Sequence, residues 1–195
     1  MNALAIALPA CVALQRVLEL AHSRRNRRAT RDVPGADAEP RSAFAAMVMA
    51  HAALVVLPPL EAALWPTEWP FAAGAGALVV FAAAQVLRYW AIRSLGKAWN
   101  VAAHVTPDLG VCARGPYRWI RHPNYLAVLL EFAAVPLALG SWRSFLLLNA
   151  LHTPVLFLRI RREERLLFRV PGYAAAMGSK GRFLPHVFAP AEARA

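Results

Sequence analysis

The chain concentrates its reactive side chains in twelve residues, Arg114-Gly115-Pro116-Tyr117-Arg118-Trp119-Ile120-Arg121-His122-Pro123-Asn124-Tyr125. Three arginines and a histidine can bind anions and move a proton, and the two prolines and the glycine make the run turn-rich. Such a stretch cannot lie in a bilayer, yet the residues from Leu126 to Gly140 are apolar apart from Glu131. A cationic loop fixed to the mouth of a membrane helix is placed to hold a polar cofactor beside a lipid substrate. A second polar focus is Glu163-Glu164, adjacent carboxylates in a chain with 11 acidic residues in all.

Each of these features has a plainer reading beside the chemical one. Glu163 and Glu164 can pair with the arginines of Arg159–Arg165 on a solvated helix. Arg121 can anchor to headgroups, and His122-Pro123 can open a helix with proline in its first turn. Glu131 lies inside an apolar run, where a carboxylate is costly unless paired or neutral. It points either into a substrate cavity or into a helix–helix hydrogen bond. Glu61, His51 and His152 read as interhelical polar contacts, and His104 and Asp108 could rim a cytosolic site. Neither of the standard phosphate-cradling glycine patterns, no HExxH and no Cys/His set with metal spacing occurs, so no metal is expected. Cys11 and Cys112 stand in different contexts and imply no disulfide framework.

The elements that must position these groups follow from composition. Apolar residues make up 58% of the 195 and charged ones 17%, too apolar for an ordinary soluble domain of this size. Five spans fit the apolar runs, at roughly 20 residues per crossing: 3–21, 42–65, 71–92, a short one at 125–139, and 142–160. The expected fold is therefore all-α, a polytopic membrane protein with three N-terminal helices (1–92, including a loop 22–41) and a catalytic part (93–195) built on the hairpin 125–160. Pro58-Pro59 should kink the second span. Gln15, Arg16 and Glu19 give the first span a face turned toward protein or headgroups. That span has no basic start and no evident cleavage site, so it reads as retained and not as a signal peptide. Past the fifth span, Pro171-Gly172 should separate two short helices, with a loop from Gly178 to Pro185 and frayed residues after about Phe188. Pro34-Gly35 marks a loop.

Charge gives the orientation. Of 22 basic residues, six lie in 22–41, five in 93–124 and seven after the fifth span. The positive-inside bias puts those three segments in the cytosol and the N-terminus outside. The same bias accounts for the basic excess without nucleic acid. The six tryptophans lie near the proposed span ends, as an aromatic belt requires.

The combination of motifs is more specific than any of them alone. Gly96-Lys97-x-Trp99, Gly115-Pro116-Tyr117-Arg118-x-x-Arg121-His122-Pro123-x-Tyr125, Pro136-Leu137, Arg159-Ile160-x-x-Glu163-Glu164-x-x-Leu167, Gly172-Tyr173 and Arg182-Phe183-x-Pro185 together resemble the isoprenylcysteine carboxyl methyltransferase family. The resemblance covers roughly residues 93–188. Arg-His-Pro-x-Tyr by itself is also similar to phospholipid methyltransferases and membrane sterol reductases, which keeps an N-methyltransferase and an NADPH-dependent reductase as alternatives. For the reductase, Arg114, Arg118 and Arg121 could supply a 2′-phosphate site. A non-catalytic scaffold or small transporter is a third reading, against which the polar residues cluster at the surface and not at mid-membrane.

The resemblance implies an S-adenosylmethionine-dependent enzyme, its cofactor held on the cytosolic face by the loop before the fourth helix and the helix after the fifth. It implies cofactor contacts from Cys112, Ala113, Gly115, Tyr117, His122, Pro123, Tyr125, Glu163 and Glu164, with Arg121, His122 and Tyr125 as catalytic candidates; Glu131 joins these as a catalytic candidate on the cost of its carboxylate within an apolar span alone. Glu164 or Glu163 would accept from the cofactor's ammonium, and Arg121 or His122 would take its carboxylate or ribose hydroxyls. The implied acceptor is a lipid-tailed molecule arriving from the bilayer, either a prenylcysteine-like carboxylate or a long-chain alkyl phenol or pyrone. The Ala/Arg/Leu-rich composition with two lysines points to a GC-rich bacterial genome and so to an inner membrane; for family members in that setting the resemblance implies the alkyl phenol or pyrone acceptor.

Overall fold

A computed structural model of the chain describes residues 3–29, 37–38, 40–101, 104–105 and 110–185. It is helical throughout its main elements: α1 (Ala3–Ala29), α2 (Arg41–Leu64), α3 (Phe71–Leu95), α4 (Pro123–Ala138), α5 (Trp142–Leu167) and α6 (Tyr173–Met177). Two residues, Asp37–Ala38 (β1), pair antiparallel with His104–Val105 (β2) and join the two loops between these helices. Asp108, Pro34-Gly35 and the residues after Pro185 lie outside the described residues, as does the side chain of His104.

Among the described residues, three helices are long and apolar enough to cross a membrane, over Ala3–Arg28, Ser42–Leu64 and Phe71–Ala98. Their outward faces carry exposed Leu14, Val17, Leu18, Val56, Val79 and Val86, the inverse of a soluble protein. The chain is an integral membrane protein. The first and last long helices outrun the spans expected of them: α1 continues through Arg24–Arg28, and α5 carries Glu163 and Glu164 in its final turns. Pro58-Pro59 does not end α2, which is helical from Arg41 to Leu64.

The short helix α4 is the hub. At about 1.5 Å per residue its 16 residues span about 24 Å. It packs most extensively on α3 and also touches α2 and α5. Nearly every side of it is buried, and Val128, Phe132 and Val135 meet Val12, Leu54 and Leu148 in the main apolar cluster. Gly140, at φ +70 in the left-handed region that glycine tolerates, turns the chain into α5. Glu61 of α2 caps the start of that helix, accepting from the backbone of Ser144 at 2.6 Å and Arg143 at 3.1 Å.

Candidate active site

The loop before α4 takes its shape from three contacts. Gly115 has φ +59, and a Cβ there would lie 2.0 Å from Ser94 Oγ, so glycine lets the loop press onto the end of α3. Arg114 Nε donates to the Ser94 carbonyl at 3.0 Å. The turn Gly115–Arg118 then leads to a bridge between Ile120 and Gly181, where the amides of Arg121 and His122 donate to the Gly181 and Arg182 carbonyls at 2.9 and 3.0 Å. The C-terminal loop thereby fixes the backbone carrying Arg121 and His122. Pro123 opens α4 at a position where its missing amide costs nothing.

The two glutamates divide their work. Glu164 is buried and gathers three cationic or donor groups: Arg182 at 2.6 Å, Arg121 Nε at 3.2 Å and His122 Nε2 at 3.2 Å. Burial alone would raise its pKa, but hydrogen bonds from His122 and Arg182, with the charge of Arg121, hold it at about 2. These partners come from other elements, not from the neighbouring arginines of α5, so the simple solvated-helix reading fails for Glu164. Glu163 instead accepts from the Tyr125 hydroxyl. The His122 and Tyr125 rings lie 5.5 Å apart, and the Arg159 guanidinium lies over Tyr125 at 5.6 Å.

These residues enclose a cavity of about 510 Å³ between the loop, the end of α3, the last turns of α5 and α6. Arg121, His122, Tyr125 and Glu163 line it, together with Cys112, Ala113 and Tyr117. Trp99, Asn100, Asn124, Tyr173 and Met177 complete the wall. Three buried polar atoms here lack a partner among the described residues: Trp99 Nε1, Asn100 Nδ2 and Asn124 Oδ1. Buried polar groups are nearly always paired, so these atoms leave hydrogen bonds for water or a ligand in the cavity to complete. Burial, reinforced by the Glu163 carboxylate, pushes the phenols of Tyr117 and Tyr173 well up, and both stay neutral.

Four of the expected site residues stand elsewhere. Gly115, Pro123 and Glu164 shape or brace the wall without lining the cavity. Glu131 is fully buried among the helices and bonds Arg88 at 2.6 Å, Arg16 at 3.1 Å and Gln85 at 3.2 Å. Of its two sequence-based readings, the interhelical one holds. Arg16 also pairs with Glu19 at 3.0 Å and Arg88 with Glu19 at 3.5 Å, so two cations and two anions close an internal set. Trp99 and Tyr173, not singled out as site residues, belong to the motifs Gly96-Lys97-x-Trp99 and Gly172-Tyr173, which is the signal that could have found them. Asn100 and Asn124 carried no such signal.

A helical membrane protein with a polar cavity at the end of a helical hairpin is the class that fold and site define. Residues 77–169 match the isoprenylcysteine carboxyl methyltransferase (ICMT) family. The chain is also similar to the uncharacterized protein YpbQ of Bacillus subtilis (strain 168), with 31% identity over 160 residues that cover 82% of this chain and 94% of that protein. The chain belongs to the ICMT family and is a membrane methyltransferase of that kind.

Proposed function

We propose that the protein is an S-adenosylmethionine-dependent O-methyltransferase acting on a lipid-tailed acceptor, a long-chain phenol or pyrone hydroxyl or a prenylcysteine-like carboxylate. The observation that carries this reading is the 510 Å³ cavity, with charge of both signs and unpaired polar atoms in its wall. Its volume falls in the range of cofactor pockets. S-adenosylmethionine presents an ammonium, a sulfonium, a carboxylate and an adenine, and the wall offers a counterpart to each. Glu163 faces the cavity as the acceptor for the cations, Arg121 as the partner for the carboxylate, and Trp99, Tyr117 and Tyr173 as apolar faces for the base. When bound, the cofactor supplies an electrophilic methyl group on sulfur.

The chain's own residues then orient, shield and deprotonate. Because Glu164 is ionised, the His122 Nε2 facing it carries a proton and donates, which leaves Nδ1 as the ring's remaining polar atom. Nδ1 is the base for a phenolic acceptor; a carboxylate needs none. Most of the acceleration comes from alignment and exclusion of water. Of the three arginines offered for a reductase, Arg114 and Arg121 line the cavity, but Arg121 is already paired with Glu164 and Arg118 stacks on Trp119 at 4.9 Å. Arginine bias supports five spans in the inner membrane with the cavity facing the cytosol.

Purified protein in lipid should bind S-adenosylhomocysteine and not NADPH. It should pass a labelled methyl to the oxygen of a tailed phenol, pyrone or prenylcysteine. Each methylene adds about 0.8 kcal/mol to partitioning, so tail-less analogues should be nearly inert. Label on nitrogen, or tight NADPH binding, would end this reading.

A further inference from the structure

Helix α1 is longer than a bilayer needs. Its 27 residues reach about 40 Å at roughly 1.5 Å per residue, against about 30 Å of hydrocarbon. The surplus of about 10 Å carries its last turns into the headgroup layer, at the end of the molecule that holds the polar cavity. Those turns have two faces. Ser23 and Asn26 are buried, whereas Arg24, Arg25, Arg27 and Arg28 are exposed.

The buried face grips the wall of the polar cavity. Asn26 Nδ2 donates to the carbonyls of Trp99 at 2.6 Å and Gly96 at 3.1 Å. Ser23 Oγ accepts from the Val101 amide at 3.1 Å and donates to Asn100 Oδ1 at 3.4 Å. The His22 ring lies 5.5 Å from that of Trp99. Trp99 and Asn100 line the cavity, and both bring it a buried donor with no partner among the described residues. Helix α1 therefore aims two of the cavity's donors without lining it, from outside the segment 77–169 that matches the family.

The exposed face has no such work inside the protein. Among the described residues, none of its four guanidinium groups meets a carboxylate. Four unneutralised cations in one short run, held at headgroup level, are complementary to a layer of phosphates. The positive-inside bias explains their side of the membrane, but not their place on the back of a cavity wall.

We propose that the end of α1 is an anchored wall: its arginine face docks on the phosphates of anionic phospholipids, and Ser23 and Asn26 carry that docking to Trp99 and Asn100. Helix ends fray. Only a wound last turn presents the arginines as one row and Asn26 to the Trp99 carbonyl at the same time. Headgroups that prefer the wound form stabilise the shape of the cavity, and a ligand in the cavity strengthens the docking by the same factor. Ser23 and Asn26 are thus positioning residues. The coupling to the methyl donor rests on the methyltransferase reading, and the test separates the two.

Full-length protein in nanodiscs of phosphatidylcholine, with or without phosphatidylglycerol, is titrated with S-adenosylhomocysteine by calorimetry. Phosphatidylglycerol should tighten binding about fivefold or more. High salt should abolish the gain, and inorganic phosphate should not reproduce it. Arg24→Gln, Arg25→Gln and Arg28→Gln on one chain should bind like the wild type in phosphatidylcholine and gain nothing from phosphatidylglycerol. The three lysine replacements should keep most of the gain. Asn26→Ala should bind weakly in both lipids, with the KM for the methyl donor raised more than kcat is lowered; Ser23→Ala, a smaller cut, should lose part of the gain. Equal wild-type affinity in the two lipids, or a gain that survives in the glutamine variant or in Asn26→Ala, overturns the proposal. Tryptophan emission reads the wall without cofactor: phosphatidylglycerol should shift it by an increment that both Trp99→Phe and Asn26→Ala remove. That increment, found in a protein that binds no S-adenosylhomocysteine, upholds the anchored wall and overturns the methyltransferase reading instead.

Discussion

His122 Nε2 stands 3.2 Å from Glu164 Oε1, joining the mouth of α4 to the last turns of α5 across 42 residues of chain. That contact closes the hairpin where the cavity opens. Glu164 thereby ties Arg121 and His122 of the cavity wall to α5.

Removing the carboxylate charge should therefore be felt at the ligand. Glu164→Gln and His122→Ala should each weaken S-adenosylhomocysteine binding by about 1.5–3 kcal/mol, the range for a hydrogen bond to a charged group. Calorimetry on detergent-purified protein checks it, and wild-type affinity in both variants would mean that the ligand sits elsewhere.

The same carboxylate predicts an acid limit. Its pKa is about 2 in the folded protein against an ordinary 4.5, so its contribution to stability is complete above pH 4.5. The contribution fades as pH falls from there toward 2, because the unfolded chain then takes up the proton first. Thermal unfolding in detergent across that window should show a fall for the wild type that Glu164→Gln lacks.

Gly115 offers a steric test. Gly115→Ala combines a left-handed backbone with a clash against Ser94, and should destabilise the loop by more than the roughly 1–2 kcal/mol of the backbone term alone. Gly172→Ala, at φ +80 but with open space around it, should cost that backbone term and no more. Paired melting curves and binding isotherms separate the two, and equal losses would remove the contact with Ser94 from the account.

Glu131 separates structure from catalysis. Glu131→Leu leaves Arg88 buried without its nearest anion and should cost about 3–5 kcal/mol of stability, with Arg88→Met on the same chain recovering much of it. S-adenosylhomocysteine affinity of whatever remains folded should match the wild type. A folded variant that binds weakly would return Glu131 to the active site.

Topology is tested by reporter fusions at residues 30, 68, 105, 141 and 190, which should read in, out, in, out, in. A reversed pattern would put the cavity on the wrong side of the membrane for a cytosolic cofactor.

Much of this architecture was legible beforehand. Apolar runs located the helices and the hairpin 125–160, and the motifs at its two ends pointed to the loop of His122 and Tyr125 and to the helix of Glu163 and Glu164. What was hidden depends on rotation and neighbourhood. Adjacent glutamates point about 100° apart on a helix, and nothing in their order says that Glu163 faces the cavity while Glu164 turns to Arg182. Hydropathy likewise cannot say which helices touch, so Glu131 could not be matched in advance to Arg16 and Arg88. Gly115 looked like a ligand contact because of its motif, whereas its service is to Ser94.

The internal ion set also has a direction in time. Arg16 and Glu19, three residues apart on α1, form a neutral pair as soon as that helix exists. Arg88 arrives with α3 and brings one uncompensated positive charge, with Glu19 at 3.5 Å as a shared and distant anion. Glu131 comes last, on the α4 hub, and closes the account of charge at 2.6 Å. A chain stalled between the third and fourth helices therefore holds an arginine it cannot neutralise, a built-in mark of incompleteness that vanishes when the hairpin carrying the catalytic loop is in place.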